Sequence, residues 1–457
     1  MEKIFIRMLG LTILGLALLG IGAASTCIAQ EPSTFTTNLI PYRKGDQWGF
    51  SDSNKKLMIP TRYDYVERFS EGLALVSLNG QFGFIDQAGK EVIPLRYDSA
   101  GSFSEGLAEV LRVNPMNGSL ESGKAGYIDK NGKEVIQLKY DTSGAGLHPR
   151  SYYGHPFSNG LALNLLNGKY GYIDRSGKAV APFKYDYLTR FSDGLAMARL
   201  DSKIGFINEQ GQEVIPLKYD RIESVDSLII VLEETGLGYI DSNGKALTPS
   251  KYETANALSD GLARVSLNGK YGFIDQSGKE IIPLKYDLAG PFTEGVAGVK
   301  LNDKWVLIDR SGKEIIPLKY GSIDPFHDGL AVVQQNGKYG FIDKRGNLVI
   351  PFKYEFAVSF SHGLAVVTRN GKRGYIDKAG KELTPFKYDY AFSFSEYSEG
   401  LAQVKLNEKV GYIDRSGKEV IPLKYDSVQR FIEGYALVNF NGKDGYIGRD
   451  GTEYFEN

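Results

Sequence analysis

The stretch from Asp260 to Thr293, DGLARVSLNGKYGFIDQSGKEIIPLKYDLAGPFT, decides the fold because the chain repeats it. Each copy has a marker residue, normally glycine, in an aromatic-Gly-aromatic-Ile-Asp core or a close variant. The markers are Gly49, Gly83, Gly126, Gly171, Gly205, Gly238, Gly272, Val306, Gly340, Gly374, Gly411 and Gly445. Seven of the eleven intervals are 34 residues, and the others are 33, 37, 43 and 45. A fixed period of this length indicates a repeat architecture.

Each copy divides into three predicted strands. In the first, Ala263, Val265 and Leu267 alternate with Arg264 and Ser266, which predicts a half-buried strand with the last two residues facing outward. The second strand is the glycine-containing core, and a glycine inside a strand indicates close approach of a neighbouring group. The third strand is Glu-Val-Ile-Pro or a variant, and proline confines it to a sheet edge or a bend.

Two turns join these strands. Asn268-Gly269 predicts a type I′ hairpin because both central residues need positive φ. The segment Asp-x-x-Gly-Lys, as in Asp275–Lys279, fits a type I turn with Asp first and Gly fourth. A tyrosine three residues after the proline and a phenylalanine six residues later, as in Tyr286 and Phe292, are interpreted as the contacts between units, since aromatic side chains bury large areas.

Composition restricts the function classes. With 54 Lys plus Arg, 55 Asp plus Glu and a net charge of −1, the 457-residue chain lacks the basic footprint of a nucleic-acid binder, and we expect no nucleic-acid partner. Cys27 is the lone cysteine, so no intramolecular disulfide and no cysteine-based metal site is expected. Stability is therefore expected to come from stacked apolar layers.

The N-terminus has the form of a secretory signal. Lys3 and Arg7 precede an apolar stretch, and small residues lead to a predicted cleavage after Ala29. We expect residues 1–29 to be a signal peptide, 30–38 a linker and 39–457 an array of about twelve repeats, with no stable membrane span after cleavage. Alternatives are an uncleaved anchor or a lipid attached to Cys27. The predicted location is exported: periplasmic, cell-surface or secreted.

The repeated residues resemble the WG (KWG) repeat of bacterial proteins, whose motif is a Trp-Gly or aromatic-Gly core followed by Asp-x-x-Gly-Lys and Ile-Pro-x-x-Tyr-Asp. The resemblance covers about Leu39 to Asn457, although only Trp48-Gly49 has the literal pair and Trp305 precedes Val306. It implies an all-β repeat domain, often exported. It brings no general catalytic residue and no cofactor.

The repeat departs from its pattern in four places. Leu111–Lys124 lengthens a first hairpin, Thr142–Pro156 inserts a loop, Ser224–Glu234 lacks the Gly-Leu-Ala signal, and Ser395–Ser398 adds three residues. Insertions in repeat arrays fall on loops, often on the binding face. The irregular half, Leu111–Glu234, is therefore the favoured region for function.

Enzyme chemistry is not expected. Asp-x-x-Gly-Lys-Glu lacks the alternating oxygen ligands of a calcium loop, and the glycine-rich turns lack a Walker lysine. His148 and His155 flank the inserted loop and are the best pair for a catalytic or metal role, but a solvated loop is the favoured interpretation. The acidic residue before Gly-Leu recurs in most copies, and repetition favours a turn or capping role over a glycosidase pair. No catalytic, metal-binding or cofactor-binding residue is therefore predicted.

The residues that vary between copies carry the functional prediction. In a regular copy, four residues lie between the tyrosine with its successor and the following Phe-Ser step. The second of these four residues is apolar in ten copies, whereas the first and third change freely. Because side chains alternate between the two faces of a strand, the first and third residues are expected on the face opposite the apolar residue. Such a ladder resembles the recognition surface of a solenoid. With the inserted loop, the candidate ligand-contact residues are Tyr65, Glu67, Arg150, Tyr152, Tyr153, Tyr187, Arg221, Phe356, Tyr390 and Phe392.

The predicted fold is all-β, with tandem three-stranded antiparallel units of about 34 residues forming an open twisted solenoid or superhelix. A propeller-like ring is the alternative. It is disfavoured because the units are short for propeller blades and because the array begins with a first strand and ends with a third, which leaves no strand offset for closure between the termini.

The predicted function is an exported, non-catalytic scaffold that binds protein or cell-envelope glycan through its repeated surface. One alternative is a structural spacer or surface protein without a specific ligand. The other is an envelope-acting enzyme with a site near residues 142–156. The sequence leaves the ligand and the oligomeric state open.

Overall fold

A computed structural model describes residues 39–456 except 114–122, 142–154, 226–227, 318–319 and 395–398. The predicted signal peptide, Cys27 and the linker lie outside the described residues. So do His148, Arg150, Tyr152 and Tyr153 of the inserted loop. The units are numbered one to twelve in the order of their marker residues.

The described chain is built from small antiparallel sheets, which confirms the prediction of an all-β tandem repeat. The first strands are Ile40–Lys44, Leu73–Leu78, Leu107–Arg112, Leu161–Leu166, Leu195–Leu200, Leu228–Glu233, Leu262–Leu267, Val296–Leu301, Leu330–Gln335, Leu364–Arg369, Ala402–Leu406 and Tyr435–Phe440. The second strands are Gln47–Ser51, Gln81–Asp86, Lys124–Asp129, Lys169–Asp174, Lys203–Asn208, Gly236–Ile240, Lys270–Asp275, Lys304–Asp309, Lys338–Asp343, Lys372–Asp377, Lys409–Ile413 and Lys443–Gly448.

The third strands lie at the sheet edges. They are Leu57–Tyr63, Glu91–Tyr97, Glu134–Asp141, Ala179–Tyr185, Glu213–Tyr219, Glu280–Tyr286, Glu314–Pro317, Leu348–Tyr354 and Glu419–Tyr425. Glu134–Asp141 also pairs with the next unit through Asp141 and Leu165. The edge position explains why proline is tolerated in most of these strands, since an edge residue needs no second ladder partner.

A short strand completes most sheets and was not predicted. It pairs antiparallel with the first strand of its unit and contains the first variable residue, and in most units the other variable residue directly follows it. The short strands are Tyr65–Val66, Ser99–Ala100, Tyr187–Leu188, Arg221–Val225, Thr254–Ser259, Leu288–Ala289, Ser322–Ile323, Phe356–Ala357, Tyr390–Ala391 and Ser427–Val428. The variable residues are therefore held by backbone pairing and do not lie on free loops.

Units six, ten and twelve have no continuous third strand, contrary to the general prediction, and units six and ten share a cause. Both contain Leu-Thr-Pro in place of the usual Val-Ile-Pro. The Thr248 hydroxyl accepts the amide of Tyr239 at 2.9 Å, and the Thr384 hydroxyl accepts the amide of Tyr375 at 3.0 Å. A side chain thus takes the place of the backbone acceptor, and isolated bridges replace the strand.

Both predicted turns are confirmed. Asn268 and Gly269 have φ of 51° and 68°, the pair of positive values that a type I′ turn requires. In the second turn the Asp275 carboxylate accepts the amides of Ser277 and Lys279 at 2.8 and 3.0 Å. This carboxylate therefore closes a structural turn.

The glycine of the second strand marks a close backbone approach, as predicted. A Cβ built at Gly272 would lie 2.6 Å from the Ile282 carbonyl oxygen and 2.8 Å from the Leu284 nitrogen. The ladder between the second and third strands is irregular at this point. The glycine thus permits the bulge that turns the third strand across the second.

The first strand is buried on both faces in many units, so the prediction of a half-buried strand is wrong in detail. Leu73–Leu78 is buried at its first five positions. Ser266, expected to face outward, is 2% exposed, and Arg264 is half-buried with its Nε donating to Asn256 Oδ1 at 3.0 Å. Both faces are covered because each sheet packs between two neighbouring sheets.

The core is divided into layers between consecutive units. One layer combines Phe273, Ile282 and Tyr286 of unit seven with Ala297 and Val299 of unit eight. The predicted aromatic contacts between units are present in this layer, where the Phe273 and Phe292 ring centroids lie 4.8 Å apart. Equivalent pairs include Phe84–Phe103 and Phe341–Phe360.

The acidic residues before Gly-Leu join consecutive units. Each of six carboxylates accepts the amide of the corresponding glycine in the next unit, and the acceptors are Glu71, Glu105, Asp260, Glu294, Asp328 and Glu399. The predicted capping interpretation of this acidic row is therefore confirmed for these six.

The first and last units are in contact. Phe455–Glu456 runs parallel to Ile40–Lys44 and occupies the sheet edge that a short strand holds in most other units. An apolar layer of Ile40, Tyr42 and Tyr454 lies between these two units. The described residues form twelve apolar layers, whereas twelve units with separated ends would form eleven.

Polar side chains reinforce this end-to-end contact. The Tyr42 hydroxyl donates to Glu456 at 2.7 Å, and Lys443 pairs with Asp46 at 2.5 Å. No strand offset for closure was expected between the termini; the structure places the last two-residue strand in parallel beside the first strand, at the edge where the short strands of other units pair antiparallel. This is the contact that the propeller-like ring alternative requires.

Candidate functional site

The variable residues lie on the outward face of the short strands. Their apolar neighbour points inward as predicted, and Val66, Leu188, Ala357 and Ala391 are all buried. The first position of the short strand is exposed in several units, with Tyr187 at 41%, Phe356 at 45% and Tyr390 at 41%. This face therefore presents large aromatic side chains at equivalent positions of different units.

Tyr65 and Glu67 form a closed pair and are the least available of the candidates. The Tyr65 hydroxyl donates to Glu67 Oε1 at 2.9 Å, and the Ser102 hydroxyl donates to the other carboxylate oxygen. The Tyr65 ring packs edge-on against Phe82, with centroids 6.3 Å apart. Unit two therefore uses these side chains for internal contacts.

Unit eleven carries two exposed aromatic residues in contact. Tyr390 and Phe392 are in contact, with ring centroids 4.7 Å apart, and Phe392 is 48% exposed. The Arg373 guanidinium lies 4.0 Å from the Tyr390 ring centroid, within cation–π range. In the preceding pair of units, Phe356 packs edge-on against Tyr339 at 5.8 Å. The structure thus brings Tyr390 and Phe392 together and supports them with a cation.

Tyr187 and Arg221 flank a polar cleft at the junction of units five and six. The cleft has a volume of about 490 Å³ and is lined by Asp186, Arg199, Ser202, Ile204 and Asp220. Tyr187 follows Asp186 and Arg221 follows Asp220 in the sequence. Two predicted contact residues therefore stand beside one concave site.

The cleft exists where the repeat lacks an aromatic ring. In unit four, Tyr170 occupies the position before the marker glycine and packs against Tyr187 of the next unit, with centroids 6.1 Å apart. In unit five the same position is Ile204, and the short strand of unit six begins with Arg221. The smaller aliphatic side chain leaves space that the ring pair fills one unit earlier.

The cleft combines acceptors and donors. Lys169 pairs with Asp186 at 2.5 Å, and Lys203 pairs with Asp220 at 2.6 Å. The Lys169 hydrogen bond, followed by the Asp201 amide, lowers the pKa of the Asp186 carboxyl below its usual value. The exposed Arg199 guanidinium lies 5.6 Å from the Tyr187 ring centroid. Asp186 is therefore charged at neutral pH in a cleft that also holds a cationic side chain.

These polar residues were not selected from the sequence, although a signal was present. A lysine at the start of the second strand and an acid 17 residues later recur along the chain. Such pairs are Lys124–Asp141, Lys169–Asp186, Lys203–Asp220, Lys270–Asp287, Lys372–Asp389 and Lys409–Asp426. The recurrence indicates a structural role. The residue before the marker is also not aromatic in other units, such as Ala125, Leu237 and Val410, so neither signal singles out this junction in the sequence.

In the described part of the insertion in unit four, hydrogen bonds of the His155 backbone fix the chain to neighbouring strands. The His155 amide donates to the Glu109 carboxylate, and its carbonyl oxygen accepts from the Tyr127 hydroxyl at 2.9 Å. Asn164 also donates to that hydroxyl at 3.0 Å. These backbone contacts give His155 a structural role, and its predicted partner His148 lies outside the described residues.

Within the described ranges, no cluster of three or more His, Cys, Asp or Glu side chains could hold a metal ion. In the same part of the chain, no helix is both long and apolar enough to span a lipid bilayer.

Solved structures with similar chain traces are distant. BamB from Moraxella catarrhalis matches 62% of this chain and 94% of that chain at 13% identity and a TM-score of 0.25. PorZ, a surface component of the type-IX secretion system of Porphyromonas gingivalis, matches 83% and 63% at 11% identity and a TM-score of 0.21. A eukaryotic initiation factor matches 84% and 95% at 10% identity and a TM-score of 0.27. Similarities at these values carry no argument about function.

No curated protein matches this sequence. The repeat family described as "WG containing repeat" matches at residues 48–81, 82–112, 126–145, 170–203, 204–231, 238–271, 271–305, 307–339, 339–372, 374–409 and 411–443. These ranges cover most of the chain, and each of the eleven begins in the second strand of one of units one to eleven. The protein therefore belongs to the family of WG containing repeat proteins.

Proposed function

We propose that this protein is an exported, non-catalytic scaffold that binds cell-envelope glycan through the outward face of its short strands. One observation carries the proposal: Tyr187, Phe356, Tyr390 and Phe392 are each more than 40% exposed while their backbone is held in or beside a sheet. Contiguous exposed apolar surface marks interaction sites, and Tyr390 and Phe392 form such a pair with ring centroids 4.7 Å apart.

Glycan fits this surface better than a highly charged partner. An aromatic ring offers a flat apolar face, against which the C–H face of a sugar ring can pack, while its hydroxyl groups reach polar neighbours. The net charge of −1 provides no long-range attraction for a polyanion or a polycation. The aromatic positions recur along the array, so one glycan chain can contact several of them at once. Several weak contacts to the same polymer give a higher overall avidity than one contact alone. Export is proposed from the signal-like N-terminus.

The test is retention of the purified protein on insoluble envelope polysaccharide. The test variant replaces Tyr187, Phe356, Tyr390 and Phe392 by serine. The wild-type protein is expected to be retained, and the variant is expected to be largely lost to the supernatant because each stacking contact is removed.

The matched control replaces Leu57, Met58, Leu348 and Val349 by serine. These side chains are 40–44% exposed on third strands, so they remove comparable apolar surface from another face. The control is expected to be retained like the wild type. No retention of the folded wild-type protein would reject glycan binding and leave a protein partner or a spacer role, and equal loss of both variants would reject the short-strand face as the site.

A further inference from the structure

We infer that the cleft at the junction of units five and six is a subsite for an uncharged sugar residue of a glycan chain. This inference rests on the proposed function and deepens it. It assigns polar recognition to Arg199, Ser202 and Asp220, and a stacking wall to Tyr187. The exposed aromatic side chains on the other short strands would bind the polymer by stacking, without hydrogen bonds to its hydroxyl groups.

The volume of the cleft suits a small ligand. Its volume of about 490 Å³ lies within the roughly 300–1,000 Å³ typical of small-molecule sites. The half-buried Ile204 and the exposed Arg199 line it, and Tyr187, 41% exposed, lies next to the lining with its ring centroid 5.6 Å from the Arg199 guanidinium. A sugar ring entering here would meet an aliphatic side chain, an aromatic ring and polar groups.

The charges favour a neutral polyol over an ion. Two carboxylates, Asp186 and Asp220, would repel an anion, while Arg199 with the paired Lys169 and Lys203 would repel a cation. Hydroxyl groups both donate and accept, so a sugar can donate to a carboxylate and accept from a guanidinium in the same site. Charge-assisted hydrogen bonds of this kind are the stronger ones.

Asp220 differs from its equivalents in a way that leaves it available. Asp186 and Asp287 each accept a lysine on one oxygen and a turn amide on the other, from Asp201 and Asn302 respectively. For Asp220, the described contacts contain only the Lys203 ammonium on Oδ1. The turn of unit six reads Glu-Glu-Thr-Gly, without the Asn-Gly pair, and its amides do not reach this carboxylate. Among the described residues nothing donates to Asp220 Oδ2, so this oxygen can accept from a ligand hydroxyl.

The sharpest test is Ile204→Tyr, which gives unit five the ring that Tyr170, Tyr271 and Tyr339 supply at the same position of other units. The repeat tolerates this side chain, so the variant is expected to fold with an unchanged melting temperature. Its ring would occupy the cleft. Asp220→Asn is the second variant, because it keeps the shape and removes the carboxylate charge.

The probe is the linear tetrasaccharide of N-acetylglucosamine, an uncharged oligosaccharide, titrated into the full protein and followed by calorimetry or ligand-observed NMR. Wild-type protein is expected to bind it, and Ile204→Tyr is expected to weaken binding by about tenfold or more. Asp220→Asn should weaken binding in the same direction. Both variants should remain retained on insoluble polysaccharide through the other aromatic faces.

The two proposals fail differently. Binding of the tetrasaccharide that is unchanged in Ile204→Tyr, or absent in wild-type protein that is still retained on polysaccharide, would overturn the subsite and leave the proposed function standing. Absence of both tetrasaccharide binding and polysaccharide retention in the folded wild type would overturn both.

Discussion

At the residue scale, the fold of each unit requires that Gly272 and its equivalents lack a Cβ atom. A Cβ at this position would lie 2.6 Å from the carbonyl oxygen of Ile282, a backbone atom that cannot rotate away. Gly272→Ala is therefore expected to destabilise the protein by about 1–3 kcal/mol, the usual range for overpacking. Chemical denaturation of the two proteins measures the difference.

Gly290 provides the matched control. Its backbone is not in the left-handed region, and a Cβ there would meet only the Gly298 carbonyl oxygen, at 3.4 Å. Gly290→Ala is expected to change stability much less than Gly272→Ala. Equal effects of the two substitutions would show that the bulge in the third strand opposite Gly272 does not depend on glycine.

Individual residues were predicted well where their role is local. Asn268-Gly269 and Asp275 act within five residues of sequence, and both adopt the predicted turns. Arg264 and Ser266 were predicted to face solvent. This prediction is wrong because a neighbouring sheet covers them. The roles of Ile204 and Asp220 were missed because the cleft is visible only when two units are placed side by side.

At the scale of the element, the acid before Gly-Leu couples each unit to the next. Glu294 accepts the Gly329 amide and pairs with Lys344 at 3.0 Å. Burial works to raise the pKa of this carboxyl, but the Lys344 and Gly329 hydrogen bonds together lower it below its usual 4.5. The folded state therefore holds the proton less tightly than the unfolded state.

The sign of the pH dependence follows from this lowered pKa. The contribution of Glu294 to stability is fully present above pH 4.5 and is lost as the pH falls through the lower folded pKa. Glu294→Gln is expected to cost about 0.2–1 kcal/mol at neutral pH, since the pair is partly solvated. Urea unfolding at pH 7 and at pH 3 should show this difference shrinking in acid.

Glu280→Gln is the control, because Glu280 is exposed on a third strand and takes part in no ion pair among the described residues. It should change stability little at either pH. A Glu294→Gln effect that is unchanged or larger at pH 3 would contradict the coupling role of this carboxylate.

Elements were predicted where periodicity is strong and missed where pairing is short. The three long strands of most units follow from alternation and turn residues. The two-residue short strands have too few residues to show a period, so Phe356–Ala357 was not among the predicted strands. Units six and ten lost the third strand through a buried threonine hydroxyl, which strand propensity does not anticipate.

At the scale of the whole molecule, contacts between units make twelve similar sheets into one array. Each sheet shares an apolar layer with the next, and the last shares one with the first. This end-to-end contact joins residues about 400 positions apart, so no local pattern could reveal it. A parallel strand of two residues at the C-terminus also lacks any sequence signature of its own.

The end-to-end contact is the central structural claim, because it removes the free ends that would let the array fray. Deletion of residues 454–457 removes the strand that pairs with Ile40–Lys44. It also removes Tyr454 from the terminal apolar layer and the Glu456 partner of Tyr42. The effect is therefore expected at the opposite end of the sequence.

Hydrogen–deuterium exchange of the deletion variant against the full chain is the most direct measurement. In the full chain the Arg43 amide donates to the Tyr454 carbonyl and the Gly45 amide to the Glu456 carbonyl, both at 3.2 Å. We predict that the deletion accelerates exchange in Ile40–Lys44, while Leu262–Leu267 in unit seven keeps its protection. Unchanged exchange in Ile40–Lys44 after the deletion would contradict the contact between the first and last units.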